Sequence, residues 1–327
     1  LAGISIGAIN AAIIAGNPPE KRLERLNAFW RSVEQTGSAD CTGWNPWLTS
    51  LVANAATVTS GVKGFFSPNP GALLSLHAAV GPERAAFYST KPLGATLAQL
   101  IDFDYINARH SRLTLGAVNV KSGGMHYFDN RDAALDARHV MASGALPPAF
   151  PAVDIDGELF WDGGIYSNSP IDVVLDDAER RDTLCFMIDL WDPTESLPNS
   201  INAAIHRHKN IQYASRTREH LEDHRRAQNL RRAVRILSQQ LPAKSRNSKA
   251  LKPLMNLGCD STIRIVRMVM KAMPTDDHTK DIDFSRSTIA VRWKAGSHDA
   301  GRALRHKSWL KPLPPHLGME IHELAQE

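Results

Sequence analysis

Cysteine is scarce. The chain has three in 327 residues, Cys41, Cys185 and Cys259. They are far apart and odd in number, which argues against a disulfide framework. No C-x-x-C pair offers a zinc or dithiol redox motif. A reducing compartment is the simplest setting. Also lacking is any run approaching the ~20 apolar residues of a membrane span. Neither sign of charge dominates: 38 Lys and Arg stand against 34 Asp and Glu, a net charge of +4. That surplus is too small to imply a nucleic-acid partner, and no aromatic interleaving supports one. There is no internal repeat. The start lacks the charged segment and apolar run of a secretion signal, although the first residue is Leu1 and not methionine.

What is present is ordinary globular composition, 43% hydrophobic and 22% charged. The length fits one large or two modest domains. Alternating strand and helix patterns predict an α/β layered domain over about 1–195. A tight glycine turn feeds an apolar helix over 3–16. A second helix follows at about 18–35, with Asn17 as its expected cap. Residues 38–95 predict short helices and loops, including Trp44 and Trp47, and such an insertion often forms a lid or substrate wall. Strands are expected at 113–120, 125–129, 153–155, 158–161 and 183–190, with Asp156-Gly157 as a hairpin turn. Helices are expected at 137–143 and from Ser169-Pro170 to about Arg181.

After Pro198 the composition shifts. Residues 201–250 hold 12 Lys and Arg but 3 Asp and Glu. Leu230, Val234, Leu237 and Leu241 give a helix at about 203–241 an apolar edge among arginines. That is the signature of an interfacial helix and predicts peripheral contact with an anionic membrane. A docking helix with a solvated basic face is the plainer reading. A further apolar helix is expected at Ile263–Met273, then an irregular tail. The domain division is therefore 1–195 and a basic, mostly helical extension at 196–327. His220 and His224 stand four apart, but HLEDH matches neither zinc-protease pattern, and His206 and His208 read no better.

Chemistry concentrates in two places. Gly3-Ile4-Ser5-Ile6-Gly7 matches G-x-S-x-G ahead of an apolar helix. This pattern makes a sharp strand-to-helix turn with an exposed serine, and its glycines Gly3 and Gly7 relieve backbone crowding. The helix start, with the backbone N–H of Ile6, faces the place where an oxyanion would form. The second place is Asp162-Gly163-Gly164, at the end of a hairpin strand, where an aspartate can project into a cleft. None of the 13 histidines has a distinctive setting.

Together these pieces resemble the patatin-like phospholipases. GISIG with GAINAA is similar to the family's nucleophile elbow, LGAVNVKSGGMHYF at 115–128 to its mid-domain hairpin, and ASGALPPAFPAVDIDGELFWDGG at 142–164 to its approach to the Asp-Gly-Gly motif. NSP at 168–170 is similar to the segment that follows. The resemblance covers about 1–190. Residues 200–327, including RHKNIQYASRTR and KDIDFSR, resemble an extension found in one bacterial branch.

The resemblance implies a three-layer α/β/α sandwich with a mostly parallel central sheet. It implies hydrolysis of acyl ester lipids by a Ser5–Asp162 dyad without histidine, with no cofactor and no metal. Asp162 should be partly buried, because an exposed carboxylate near 3.9 is a poor base. The family's glycine-rich oxyanion loop lies upstream of the elbow, and only Leu1 and Ala2 precede Gly3. An N-terminally truncated chain of impaired activity is therefore expected, with Ile6 N–H as the remaining oxyanion donor. The alternatives are an inactive lipid-surface or partner-binding module and a Ser-His-Asp esterase. A cytoplasmic location with peripheral membrane contact is expected. Head group, acyl length and positional preference are not encoded legibly.

Overall fold

The computed structural model describes residues 1–35, 57–72, 77–176, 180–192, 194, 197–271, 273, 280 and 282–323. Trp44, Trp47 and much of the expected 38–95 insertion lie outside these residues. The chain forms two compact units, Leu1–Val173 with Pro274–Val291, and Val174–Met273 with Arg292–Glu327.

In the first unit, strand β1 (Ala2–Ile4) leads through Ser5 into helix α1 (Ile6–Ala15). Ala8, Ile9, Ala11, Ala12, Ile13 and Ala15 are all buried, and Ile6, Asn10 and Ile14 are partly buried, so this helix is mainly a core element. Helix α2 (Pro19–Ser32) follows, with Pro18 and not Asn17 at its N-cap. Asn17 instead reaches back, donating Nδ2 to the carbonyls of Ile13 and Leu100 at 2.9 and 2.8 Å. With no N–H on Pro19, the start of α2 has one donor fewer to satisfy. Asn17 is thus released to tie the end of α1 to the chain at Leu100. Strands β2 (Ser67–Pro68) and β3 (Tyr88–Ser89) form a small antiparallel ribbon. Helices α3 (Lys91–Leu100) and α4 (Phe103–Asn107) precede the main sheet strands.

Those strands are β4 (Thr114–Asn119), β5 (Met125–Asp129), β6 (Val153–Ile155) and β7 (Glu158–Asp162), with helix α5 (Ala137–Ser143) between β5 and β6. Strand β4 is buried along nearly its whole length, as its apolar run requires. Asp156 and Gly157 both adopt positive φ, 54° and 84°, which closes the β6–β7 hairpin in the manner of a two-residue turn.

The register around β4 positions the site. Strand β5 pairs with β4 from Thr114 to Val118 and fills one edge. On the other edge β1 runs parallel, ending at Ile4 opposite Gly116. Strand β7 runs antiparallel along the same edge, ending at Asp162 opposite Ala117. Two strands therefore approach each other head-on and stop at adjacent residues of β4.

In the second unit, strands β8 (Thr183–Asp189), β9 (Ile263–Val269) and β10 (Met319–Glu323) form a parallel sheet in the order β10-β9-β8. Helix α6 (Ile201–Gln240) runs 40 residues, and α7 (Arg286–His306) follows β9 in the chain. Two expectations are corrected here. Ile263–Val269 is a strand and not a helix, because it lies between two parallel partners, with Ile263, Ile265, Val266 and Arg267 buried. Among the described residues of the tail after Thr275, Arg286–His306 forms α7 and Met319–Glu323 forms β10, in place of the expected irregular chain. The α/β class stands, with its parallel pairings divided between two sheets: β1 with β4 in the first, and all pairs in the second.

Arg267 joins the C-terminal ends of the second sheet. Its Nη2 lies 2.7 Å from Asp189 Oδ2 and its Nη1 2.6 Å from Glu323 Oε1, with Arg267 and Asp189 both buried. On α6, Leu230 and Leu237 of the expected apolar edge are exposed. Among the described side chains the buried positions are His206, Asn210, Ala214, Thr217, Leu221, Gln228 and Ser238, a mainly polar stripe at helical spacing.

Candidate active site

Ser5 occupies the turn between β1 and α1 at φ 54°, ψ −125°. A non-glycine residue there is strained by about 1–3 kcal/mol and persists only where its surroundings hold it. Three contacts do so. A Cβ on Gly3 would stand 2.4 Å from the carbonyl oxygen of Gly7, so only glycine lets the turn close. The Ser5 N–H donates to both the carbonyl and the hydroxyl of Ser143, at 3.1 and 3.0 Å. The Ser5 carbonyl accepts from the amides of Ala8 and Ile9. Gly7 differs from the expectation: nothing lies within 4 Å of the Cβ it lacks, so its side is open and not crowded.

The half-buried Ser5 hydroxyl donates to Asp162 Oδ2 at 2.6 Å. Asp162 Oδ1 accepts from the Gly164 amide at 2.7 Å. The Asp162 side of the meeting point is equally tight, since a Cβ on Gly163 would come within 2.7 Å of the Gly116 carbonyl oxygen. Asp162 is 3% exposed. Burial, the largest effect, raises its pKa from 3.8 to about 6, against the opposing hydrogen bonds from Ser5 and Gly164. A carboxylate poised there is partly protonated in mildly acidic water and ionised above neutrality.

Ile6 and Gly7 open α1, and first-turn amides have no intrahelical acceptor. They add the positive end of the helix dipole beside Ser5. Ser143 escaped the sequence reading. It is fully buried, accepts from the Ser5 N–H and donates its own hydroxyl to the Gly116 carbonyl at 2.6 Å. It thereby pins the elbow to β4. A lone serine near a helix end carries no sequence signal of such a role.

Among the described residues no histidine hydrogen-bonds to Ser5 or Asp162. His139 caps α5 through Asp136, and His126 packs against Phe128 and Phe160. Nor does any group of three or more His, Cys, Asp and Glu side chains there suit a metal ion.

A serine on a strand–turn–helix elbow, facing a buried carboxylate in a mixed α/β unit, is the arrangement of α/β acyl hydrolases. The comparisons narrow the class. A family model described as patatin-like phospholipase matches residues 1–175, more than half of the chain, and one described as patatin phospholipase matches residues 211–316. The chain belongs to the patatin-like phospholipase family, a family of lipid hydrolases. No curated protein matches the chain. No helix among the described residues is long and apolar enough to cross a membrane.

Proposed function

We propose that the chain is a serine acyl hydrolase in which Ser5 is the nucleophile and Asp162 its base. The observation that carries this reading is the 2.6 Å hydrogen bond from Ser5 Oγ to a buried carboxylate with a pKa of about 6. Ser5 Oγ attacks the ester carbonyl while its proton passes to Asp162 Oδ2. The tetrahedral oxyanion forms near the Ile6 amide at the start of α1. Collapse expels the alcohol, which takes up the proton, and leaves an acyl-serine. Water, deprotonated by Asp162, then attacks the acyl carbon; collapse breaks the bond to Ser5 Oγ, which takes the proton back from Asp162, and the fatty acid leaves. Family membership supports a lipid ester as the substrate.

A serine-directed fluorophosphonate probe tests the assignment. Labelling of the chain that vanishes in Ser5→Ala and falls steeply in Asp162→Asn is the expected result. Labelling that persists in Ser5→Ala, or that responds only to a His→Ala change, would overturn it. Peripheral binding to an anionic membrane through residues 203–241 is part of the same reading. The exposed Leu230 and Leu237 among arginines support it. Co-sedimentation with anionic vesicles should weaken with salt and in a Leu230→Ser/Leu237→Ser variant. Binding unchanged in that variant would refute it.

A further inference from the structure

The second unit holds a polar pocket of about 540 Å³, whose lining includes Asp176, Arg180, Arg231, Arg235, Cys259 and Asp260. Its volume is in the range of small-ligand sites, roughly 300–1,000 Å³. Its lining is wrong for an acyl chain, since Leu175 is the one large apolar side chain in it.

The wall is built. Arg231 and Arg235 stand four apart on α6 and so share a face. The segment Asn256–Asp260 lies directly on that face. A Cβ on Gly258 would meet the Arg235 Cα and N, both at 2.9 Å, so glycine is what lets the two backbones approach. The Cys259 amide donates to the Arg231 carbonyl at 3.2 Å. Arg235 Nε bonds Asp260 Oδ2 at 2.6 Å, and Arg232 donates to the carbonyls of Asp260 and Pro315.

The charges do not balance. Asp260 is committed to Arg235, with Arg232 3.6 Å away, and Asp176 lies 3.9 Å from His224. Arg180 and Arg231 have no acidic or hydrogen-bonding side-chain partner among the described residues. Two unpaired guanidinium groups on one pocket repel each other and lower the pocket's cost of admitting an anion. Guanidinium presents a planar fork that matches phosphate oxygens two at a time. The Cys259 thiol senses the same field: burial would raise its pKa, yet hydrogen bonds with Ser261 and Gln228 and the charge of Arg180 hold it below the ordinary value.

We propose that this pocket binds a phosphate group carried on a small polar ligand, with Arg180 and Arg231 as its principal ligands and the Arg235–Asp260 pair as its fixed wall. The same chemistry is offered by a soluble phosphate ester and by a phospholipid headgroup, and the test separates them. It does not depend on the role of Ser5.

The full chain is titrated calorimetrically with inorganic phosphate and with glycerol phosphate. In parallel it is co-sedimented with phosphatidylglycerol vesicles and with uncharged glycolipid vesicles. The same measurements are made on Arg180→Gln, on Arg231→Gln and on the double variant, each checked for native circular dichroism. Each lost guanidinium should weaken binding about tenfold or more. Saturable binding of either soluble phosphate, lost in the double variant, would support the site with a soluble ligand. Binding only to phosphatidylglycerol vesicles, likewise lost, would support it with a headgroup. No binding to any phosphate-bearing probe would overturn the proposal, and so would binding that the double variant retains.

Discussion

Asp162→Asn separates what the buried carboxylate does for chemistry from what it does to stability. Its pKa is about 6 in the folded chain, against an ordinary 3.8 when exposed. The folded state therefore holds this proton more tightly than the unfolded state. Stability from this group is fully present below about pH 3.8 and is lost as pH rises through about 6. At about 1.4 kcal/mol per pH unit, the difference amounts to about 3 kcal/mol. With 3% exposure, solvent does little to screen it. Asparagine does not titrate, so the variant lacks this slope. It also has one acceptor oxygen for two donors, Ser5 Oγ and the Gly164 amide, which adds a pH-independent penalty of about 1–3 kcal/mol. The comparison therefore rests on the slope and not on the offset. Urea unfolding of both proteins from about pH 4 to about pH 8 should show native protein losing about 2.5 kcal/mol relative to the variant. The rate of Ser5 labelling in native protein should rise over the same window, with a midpoint near pH 6, and the variant should lack that inflection. A stability difference that stays flat across this range would refute the buried, raised carboxylate and with it the base assigned to Ser5.

Gly3→Ala should cost 3 kcal/mol or roughly more, because the new methyl meets backbone atoms that have no rotamer by which to move away. Gly7→Ala should fold normally; equal losses in the two urea midpoints would contradict the elbow geometry. Ser143→Ala should destabilise by about 1–3 kcal/mol, since it leaves the buried Gly116 carbonyl without that donor. It should also lower the rate of Ser5 labelling more than the affinity for probe, because it frees the elbow without touching the Ser5–Asp162 bond; an unchanged rate would deny Ser143 a positioning role. Asp189→Ala leaves the buried Arg267 guanidinium with the exposed Glu323 as its one acidic partner and should cost about 1–3 kcal/mol, read as a fall in the urea midpoint of the second unit. A shift of under about 1 kcal/mol would mean that water reaches this pair.

Legibility in the sequence follows the range of the interactions. The elbow, the Asp156-Gly157 hairpin and the apolar run of β4 are set by neighbours a few residues apart, and their limits are read closely. Strand β9 is not, because IRIVRMV satisfies a helical pattern as well as a strand pattern. What decides it is pairing with Thr183 some 80 residues before Ile263 and with Met319 some 56 residues after. Helix α6 was legible as a helix but not in its orientation. Its apolar leucines at 230 and 237 face water, and its buried stripe carries Asn210, Thr217, Gln228 and Ser238, which satisfy hydrogen bonds there and do not stand out by hydropathy. Gln228 Nε2, for example, donates to the Ser261 carbonyl at 2.9 Å. Asp162 could be named from its motif, yet its nearness to Ser5, 157 positions away, is a property of register along β4 alone.

Under the proposed roles of Ser5 and Asp162, that register lets a serine be served by an aspartate without an intervening histidine. A histidine spans the gap in three-residue sites and titrates near neutrality unaided. Without it, the carboxylate must lie in hydrogen-bond contact with the hydroxyl, and its pKa must be raised toward the working range. Both needs are met by one device. Strands β1 and β7 end against adjacent residues of β4, which brings Ser5 and Asp162 to 2.6 Å. The same convergence encloses Asp162 and raises its pKa. The device has two costs, about 3 kcal/mol for the buried charge above pH 6 and about 1–3 kcal/mol for the strained Ser5 backbone. Against them stand the buried positions of α1 and β4, where Ile9, Ile13, Leu115 and Ala117 are each at most 1% exposed. At about 1.5–3 kcal/mol for each fully buried large aliphatic side chain, Ile9, Ile13 and Leu115 alone offset a burden of that size. The site therefore needs the buried core beside it, since a loosely packed edge would let water in and the Asp162 pKa fall back toward 3.8.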